Sequence, residues 1–223
     1  MVDFFTKLPT LLIVGVLVAI FLSLKSHVKS ARLHFWVIAW AFIFVHFFVT
    51  LFEPKTGNLG NALSAIELGA LLLSGAFFVV SLTLDVEHPK RYSLLLLFLS
   101  VPLLTYAIAD CFNVYSRAVY MPCLLVLYGG GWGIAIYRSR KLDTYILGLS
   151  GIILVLAAWG IVGALHGDDN GINDGLNSMM CAIFLVPGIL FWRRFPRWTT
   201  GVVTTVTGFF TWGAVFPVGT LTD

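Results

Sequence analysis

Apolar residues run in eight long blocks along this chain, with short polar connections between them. Each block approaches the ~20 residues that an α-helix needs to cross the ~30 Å hydrocarbon core of a bilayer. The blocks predict eight membrane-spanning helices: Leu8–Leu24, Leu33–Phe52, Ala62–Asp85, Leu94–Phe112, Val119–Tyr137, Tyr145–His166, Leu176–Trp192 and Gly201–Val218. Because the connections are short, we expect an all-α transmembrane bundle, a single domain over residues 1–223, with consecutive helices antiparallel.

The third block carries a stripe of polar residues that lipid would not accommodate. Its members recur at spacings of three and four, which places them on one face of a helix. The polar members are Ser64, Glu67, Ser74, Ser81 and Asp85, and the apolar Leu71 and Phe78 complete the spacing. A carboxylate exposed to hydrocarbon costs at least ~2.5 kcal/mol, so we expect Glu67 to face other helices or water. The stripe predicts the helix around which the bundle is organised.

Composition supports the membrane interpretation. Hydrophobic residues make up 59% of the 223 residues and charged residues only 11%, whereas soluble domains have about 25% charged residues. No segment is polar enough for a soluble domain. The cysteines Cys111, Cys123 and Cys181 have no metal-ligand spacing and are expected to be small packing residues.

Basic residues sort to one side of the predicted helices. The connections after the first, third, fifth and seventh helices contain Lys25, Lys29, Arg32, Lys90, Arg91, Arg138, Arg140, Lys141, Arg193, Arg194 and Arg197. The opposite side has only Lys7, Lys55 and Arg117. The positive-inside rule predicts that the first group is cytoplasmic, in the inner (plasma) membrane of a bacterium with the N-terminus outside. The polar stretch 166–175 is then predicted to be an external loop.

Four ionisable side chains are predicted to lie at one depth, in the outer half of the membrane: His46, Glu67, Asp110 and His166. Two imidazoles and two carboxylates at one level suit a proton relay, a small-molecule pocket or a metal site. In the alternative interpretation, each one is satisfied separately by a hydrogen bond or by interfacial water. No two of them have a metal-binding spacing such as His-x-x-x-His, so no metal is assigned and the cofactor stays unknown.

Two aromatic residues complete the set of candidate ligand-binding residues. Tyr106 lies one turn before Asp110, within reach of a hydrogen bond to it, and Trp159 shares a helix face with His166. Both suit the wall of a ligand pocket and equally the core of a helix bundle. His46 and Glu67 are predicted at equal depth on consecutive helices, so we expect a contact between them, directly or through one water.

Glycines recur in the fifth and sixth blocks. Gly129-Gly130-Gly131-Trp132-Gly133, Gly148-x-x-Gly151 and Gly160-x-x-Gly163 predict close helix–helix packing. For the first run, a local break in the helix is the alternative. The chain has no serine elbow, HExxH, P-loop or nucleic-acid signature, and the seventh block has no lysine for a retinal Schiff base.

Two segments carry a resemblance to a known family. Trp36-Val-Ile-Ala-Trp-Ala-Phe-Ile-Phe-Val-His-Phe47 is similar to the second membrane segment in the N-terminal multi-helix regions of bacterial GGDEF proteins, which are diguanylate cyclases. Gly208-Phe-Phe-Thr-Trp-Gly-Ala-Val-Phe-Pro217, shortly after Arg193-Arg194-Phe195-Pro196-Arg197, resembles the end of those regions. The resemblance implies the sensory input half of a signalling protein. The chain contains no GG(D/E)EF sequence, and no functional residue carries over.

The sequence therefore favours a bacterial membrane sensor or receptor module. It would sense through an outward-facing intramembrane polar pocket and signal to a C-terminal output domain absent from this chain. The alternatives are a proton- or ion-coupled transporter that uses Glu67 as its protonatable group, and an intramembrane metal-dependent hydrolase. Enzymatic activity is not expected of this chain. The expected partners are the lipid bilayer, a small ligand or ion of unknown identity and a second copy in a homodimer, but no nucleic acid.

Overall fold

The computed structural model describes residues 2–27, 30–52, 57–83, 89–114, 116–133, 144–166, 169–195 and 197–219. The helices are α1 Val2–His27, α2 Ala31–Val49, α3 Gly57–Thr83, α4 Pro89–Cys111, α5 Arg117–Leu124, α6 Thr144–His166, α7 Asp169–Arg194 and α8 Thr200–Gly219. After Leu124, α5 continues through the π-helical segment Leu125–Gly129 and is described to Gly133. The described residues form no strand. The predicted all-α fold is confirmed, with one helix for each predicted span.

Six of these helices are long and apolar enough to cross a membrane, judged by length and composition: α1, α2, α3, α4, α6 and α7. Within the described residues, α5 and α8 do not meet that criterion. Threonine and glycine lower the hydropathy of α8. Large apolar side chains on the other helices are exposed, such as Ile13 at 63%, Leu94 at 67% and Val155 at 70%. Such exposure matches contact with lipid rather than with water. The chain is a multi-pass helical membrane protein by these measures.

The chain divides into two compact units, Met1–Ser100 and Val101–Asp223, and each is described by itself. The boundary falls within α4. The expectation of a single domain stays a prediction.

In the first unit, α2 packs against both α1 and α3. Both pairs are antiparallel, as predicted. The Lys7 ammonium near the start of α1 donates to the carbonyl of Thr50 just after α2, at 3.3 Å. Near the other end of the pair, Phe21 stacks on Trp40 with ring centroids 6.0 Å apart. These contacts at both ends fix the register of the first hairpin.

The third helix is the central element of the first unit. Half of its apolar span is buried (50%), against 6% for α1. The predicted stripe faces inward, since Leu71, Ser74, Phe78 and Ser81 are all buried. The two serine hydroxyls donate to carbonyls three residues earlier in the same helix, each at 2.7 Å. This intrahelical bonding removes the cost of burying them. Asp85 lies outside the described residues.

In the second unit, α7 is the central element, and 61% of its apolar span is buried. It packs against α6 on one side and α8 on the other, while α5 packs against α6. Both α7 pairs are antiparallel. Phe184 of α7 is fully buried and stacks on Trp212 of α8 with ring centroids 4.9 Å apart.

The beginning of α7 differs from the sequence-based expectation. The stretch 166–175 was expected to be an external loop, but α7 begins at Asp169, seven residues before Leu176. Aspartate and asparagine favour the first turn of a helix, where they complement the exposed N–H groups and the helix dipole. Ile172 is buried one turn before the buried Leu176, so it extends the apolar face of α7. The part of this stretch from Asp169 onward therefore belongs to a helix, and residues 167–168 lie outside the described residues.

The end of α4 is closed by a left-handed residue. Asn113 has φ 54°, a conformation that asparagine tolerates better than most residues. Its N–H donates to the carbonyl of Asp110 at 2.9 Å, and the next N–H, of Val114, donates to Ala109 at 2.8 Å. This pair of bonds is a Schellman motif, which satisfies the last carbonyls of the helix.

Candidate functional site

His46 and Glu67 are in contact, as predicted. The Nδ1 atom of His46 lies 3.0 Å from the backbone carbonyl oxygen of Glu67. Because a carbonyl only accepts, Nδ1 carries the proton and donates it. This bond is made to the backbone carbonyl of Glu67. Both residues are half-buried. The bond fixes the rotation of α2 against α3, which the nearly uniform apolar surface of α2 left undetermined.

Tyr106 is a fully buried contact between α4 and α7. Its hydroxyl donates to the carbonyl of Ile172 at 2.7 Å, and its ring meets Tyr120 edge-on with centroids 4.5 Å apart. The Tyr106 hydroxyl therefore donates its proton to Ile172, and the expectation that it would donate to Asp110 is wrong. Gly175 explains the difference, because its missing side chain leaves the space on α7 that the Tyr106 ring and hydroxyl occupy. A role for Tyr106 in ligand binding stays a prediction.

Asp110 lies half-buried in the last turn of α4. Its backbone carbonyl belongs to the Schellman motif that ends the helix. The two cavities described below, of about 340 Å³ and about 220 Å³, do not include its side chain. Its role as a ligand-binding residue stays a prediction.

Trp159 and His166 line one open cavity of about 340 Å³ between α6 and α7. The other lining residues are Ala158, Val162, Gly163 and Asp174. At this cavity the structure brings together two more of the six candidate residues, in addition to His46 and Glu67. It adds Asp174, which sequence reasoning placed in a loop and did not select. A sequence-based prediction that began α7 at Asp169 would have selected Asp174, because Asp174 then lies in the second turn of α7, beside the end of α6.

Gly163 sets the separation of the two helices at this cavity. A Cβ atom built on Gly163 would lie 2.7 Å from the Cβ of Asp174 and 2.7 Å from the carbonyl oxygen of Gly171. Only glycine permits so close an approach of two helix backbones. The close approach holds Asp174 against α6. The packing role predicted for Gly160-x-x-Gly163 is therefore confirmed at Gly163, and Gly160 meets Ser178 in the same way.

The other glycine runs do not pack closely. A Cβ atom built on Gly148, Gly151, Gly129, Gly131 or Gly133 would have no described atom within 4 Å. The predicted helix–helix packing at these positions is wrong for the described residues, since a lack of side chain brings helices together only where a partner helix faces it. In α5, the π-helical segment ends at Gly129, the first residue of the glycine run. Residues 130–133 are regular α-helix, so the alternative of a local break within the run is not observed there.

His166 uses one ring nitrogen in a hydrogen bond within its own helix. Its Nδ1 donates to the carbonyl of Val162 at 2.8 Å, one turn earlier in α6. The remaining nitrogen, Nε2, accepts a hydrogen bond when the ring is neutral. The Arg117 guanidinium donates to the His166 backbone carbonyl at 3.2 Å, which ties the start of α5 to the end of α6. The imidazole therefore has a fixed orientation at the cavity.

A second polar group lies deeper in this unit and was not found from the sequence. The Tyr128 hydroxyl donates to Ser178 Oγ at 2.5 Å, and that oxygen donates to the carbonyl of Leu156 at 2.5 Å. Both side chains are buried. The chain of bonds connects α5, α7 and α6. All its donors are used internally, so it serves helix association rather than ligand binding.

Metal ligation has no support in the described part of the chain. There, no three His, Cys, Asp or Glu side chains come together as metal ligands do. His46 and Glu67 lie in the first unit, and the other candidates lie in the second. The shared pocket of the four ionisable residues stays a prediction.

Comparison of the chain with protein-family models, curated proteins and solved structures finds no match. The resemblance to the membrane regions of GGDEF proteins accordingly stays a prediction. Function is inferred below from the geometry of the cavity.

Proposed function

We propose that this chain is a membrane sensor or receptor module that binds a small organic cation in the cavity between α6 and α7. One observation carries the proposal. An indole, an imidazole and a carboxylate, from Trp159, His166 and Asp174, line the same open cavity of about 340 Å³. Small-molecule sites are typically concave, mostly apolar and supplied with a few converging polar groups.

The three side chains favour a cationic ligand. The Asp174 carboxylate attracts an ammonium group, and the face of an indole attracts a cation through its ring quadrupole. Neutral His166 accepts an N–H bond at Nε2, because its Nδ1 is already donating to Val162. In the described part of the chain, no lysine or arginine lines the cavity, although Arg117 bonds the backbone carbonyl of His166. The Asp174 carboxylate, which does line the cavity, would repel an anionic ligand.

The location of the cavity supports a sensory role. A ligand held between Trp159 and Asp174 contacts both α6 and α7 beside Gly163, where the two helices approach closely. Since α7 also packs along α8, a change in its position reaches the C-terminal helix. The proposal includes a bacterial inner membrane with the N-terminus outside, which the basic connections support, and a C-terminal output domain, which the family resemblance supports. It also includes assembly as a homodimer.

Thermal unfolding of the full chain in lipid nanodiscs tests this function. A panel of small primary and quaternary amines is compared with neutral alcohols and carboxylates of equal size. We expect one or more amines to raise the unfolding temperature in a concentration-dependent way, because a ligand that binds only the folded state stabilises it. The alcohols and carboxylates are expected to have no such effect.

Two matched substitutions locate the binding site. Asp174→Asn is expected to abolish the amine response, whereas Glu67→Gln in the first unit leaves it unchanged. A response lost with Glu67→Gln and retained with Asp174→Asn would place the ligand elsewhere and overturn the proposal. Saturable uptake of the amine into proteoliposomes would favour the transporter alternative over a receptor.

A further inference from the structure

We propose a second binding site, for an anionic membrane lipid, at the turn between α7 and α8. The site would hold one acyl chain in an apolar cavity and the charged headgroup beside Arg197. It lies apart from the cavity of the proposed receptor function and does not depend on that function.

The turn encloses a cavity of about 220 Å³. Aromatic and apolar side chains dominate its lining, which includes Trp192, Phe195, Trp198, Val203 and Phe210; among the described lining residues, Arg197 is the one that is charged. An apolar cavity of ~150 Å³ inside a protein suffices for a benzene molecule. The volume here is therefore sufficient for a section of an acyl chain. A free inorganic anion would leave most of the apolar lining without a partner.

The aromatic residues form the walls of this cavity from both helices. Trp192 of α7 and Trp198, in the connection before α8, meet edge-on with ring centroids 5.6 Å apart. Phe210 of α8 lies farther into the hairpin, where Gly188 permits close approach of the two helices. Trp198 is 74% exposed, the least buried tryptophan at this end. The cavity is thus open on the side that faces away from the protein core.

Charge at the turn favours an anionic partner. Arg193, Arg194 and Arg197 lie within five positions, and residues 175–222 contain no aspartate or glutamate. Arg197 is exposed and lines the cavity. Basic residues at the end of a membrane helix attract anionic headgroups by about 1 kcal/mol each.

The position along α7 places the cavity at the membrane surface. The apolar span of α7 ends at Arg194. Tryptophan is enriched at the boundary between hydrocarbon and headgroups, as Trp192 and Trp198 would be here. From the hydrocarbon outward, the site therefore offers an apolar cavity with an aromatic wall and then the Arg197 guanidinium. A lipid presents its acyl chain and its headgroup in the same order.

Native mass spectrometry of the full chain tests the site. The purified protein is equilibrated with equal amounts of phosphatidylglycerol and phosphatidylcholine, and the retained lipid is measured. We expect preferential retention of one phosphatidylglycerol. Arg197→Gln should reduce that retention about fivefold, the equivalent of one arginine at a membrane surface. Val203→Trp, which fills the cavity from an exposed position, should abolish it.

Arg194→Gln is the matched control, because it removes the same charge from the same turn but does not line the cavity. We expect it to reduce retention less than Arg197→Gln does. Equal losses in the two arginine variants, together with full retention in Val203→Trp, would show diffuse charge attraction and overturn the site. Competition separates the sources of the anion. Displacement by inorganic phosphate or by deacylated glycerophosphoglycerol would also overturn it, since neither carries an acyl chain.

Discussion

At the scale of single residues, bonds from side chains to backbone carbonyls join neighbouring helices. His46 donates to Glu67, Tyr106 to Ile172 and Ser178 to Leu156. In an apolar environment such bonds contribute about 0.6–2 kcal/mol each to helix association. The sequence indicated His46, Glu67 and Tyr106 because they are polar or aromatic within apolar blocks. It gave no sign of their partners, since every residue has a carbonyl.

The Tyr128–Ser178 pair predicts an asymmetric response to substitution. Tyr128→Phe leaves Ser178 bonded to the Leu156 carbonyl, so we expect the free energy of unfolding to fall by about 0.5–1.5 kcal/mol. Ser178→Ala leaves the buried Tyr128 hydroxyl without its acceptor, so we expect the free energy of unfolding to fall by about 1–3 kcal/mol. Reversible unfolding in mixed detergent measures both values. The double variant should cost less than the two single losses added together. A larger loss for Tyr128→Phe than for Ser178→Ala would contradict this bonding order.

Gly175 predicts a sharp difference between two glycine substitutions. A Cβ on Gly175 would meet the Tyr106 hydroxyl, so Gly175→Ala should displace Tyr106 and lower the unfolding temperature. Gly151→Ala in α6 meets nothing within 4 Å in the described residues. It should be neutral or stabilising by up to ~1 kcal/mol, because alanine is the better helix former. Equal unfolding temperatures for the two variants would argue against the Tyr106–Ile172 contact.

At the scale of helices, the sequence was sufficient for the number and approximate bounds of the elements. Hydropathy predicts where a span lies because length and apolarity are properties of the segment alone. It failed at the start of α7, where polar residues surround a single buried Ile172. That failure concealed Asp174, and with it the composition of the cavity. Which glycines face another helix also depends on rotations that a nearly uniform apolar surface does not specify.

The π-helical segment in α5 predicts tolerance to a deletion. Its bonds span one residue more than those of an α-helix, so removing one residue there restores regular α-helix. Deletion of Val126 should therefore destabilise the fold less than deletion of Val155 in α6, which would rotate the rest of α6 by ~100° and separate its buried residues. Both valines are exposed, at 42% and 70%. Thermal unfolding of the two variants tests this prediction. A larger drop in unfolding temperature for the Val126 deletion than for the Val155 deletion would contradict it.

At the scale of the molecule, each unit is built around one buried helix, α3 or α7. Both are flanked by more exposed helices whose apolar side chains face outward. The contact of His46 with Glu67 belongs to the first unit, whereas the open cavity and the turn with three arginines belong to the second. Composition and hydropathy predicted the membrane class correctly. The cavity required the structure, because its residues come together only through the close approach of α6 and α7.

Reaction of an engineered cysteine in the cavity tests the account most directly. In a variant without native cysteines, Val162→Cys lines the cavity, whereas Leu165→Cys is similarly exposed near the same end of α6 and does not. Cationic and anionic thiosulfonate reagents of similar size are compared at both positions. We expect the cationic reagent to react about thirtyfold faster than the anionic one at position 162, since a charge at ~4 Å attracts the first and repels the second by ~1 kcal/mol each in water. We expect no such preference at position 165, and Asp174→Asn should remove the preference at 162. An absence of reaction at 162, or a preference that survives Asp174→Asn, would contradict a water-accessible cation site between α6 and α7.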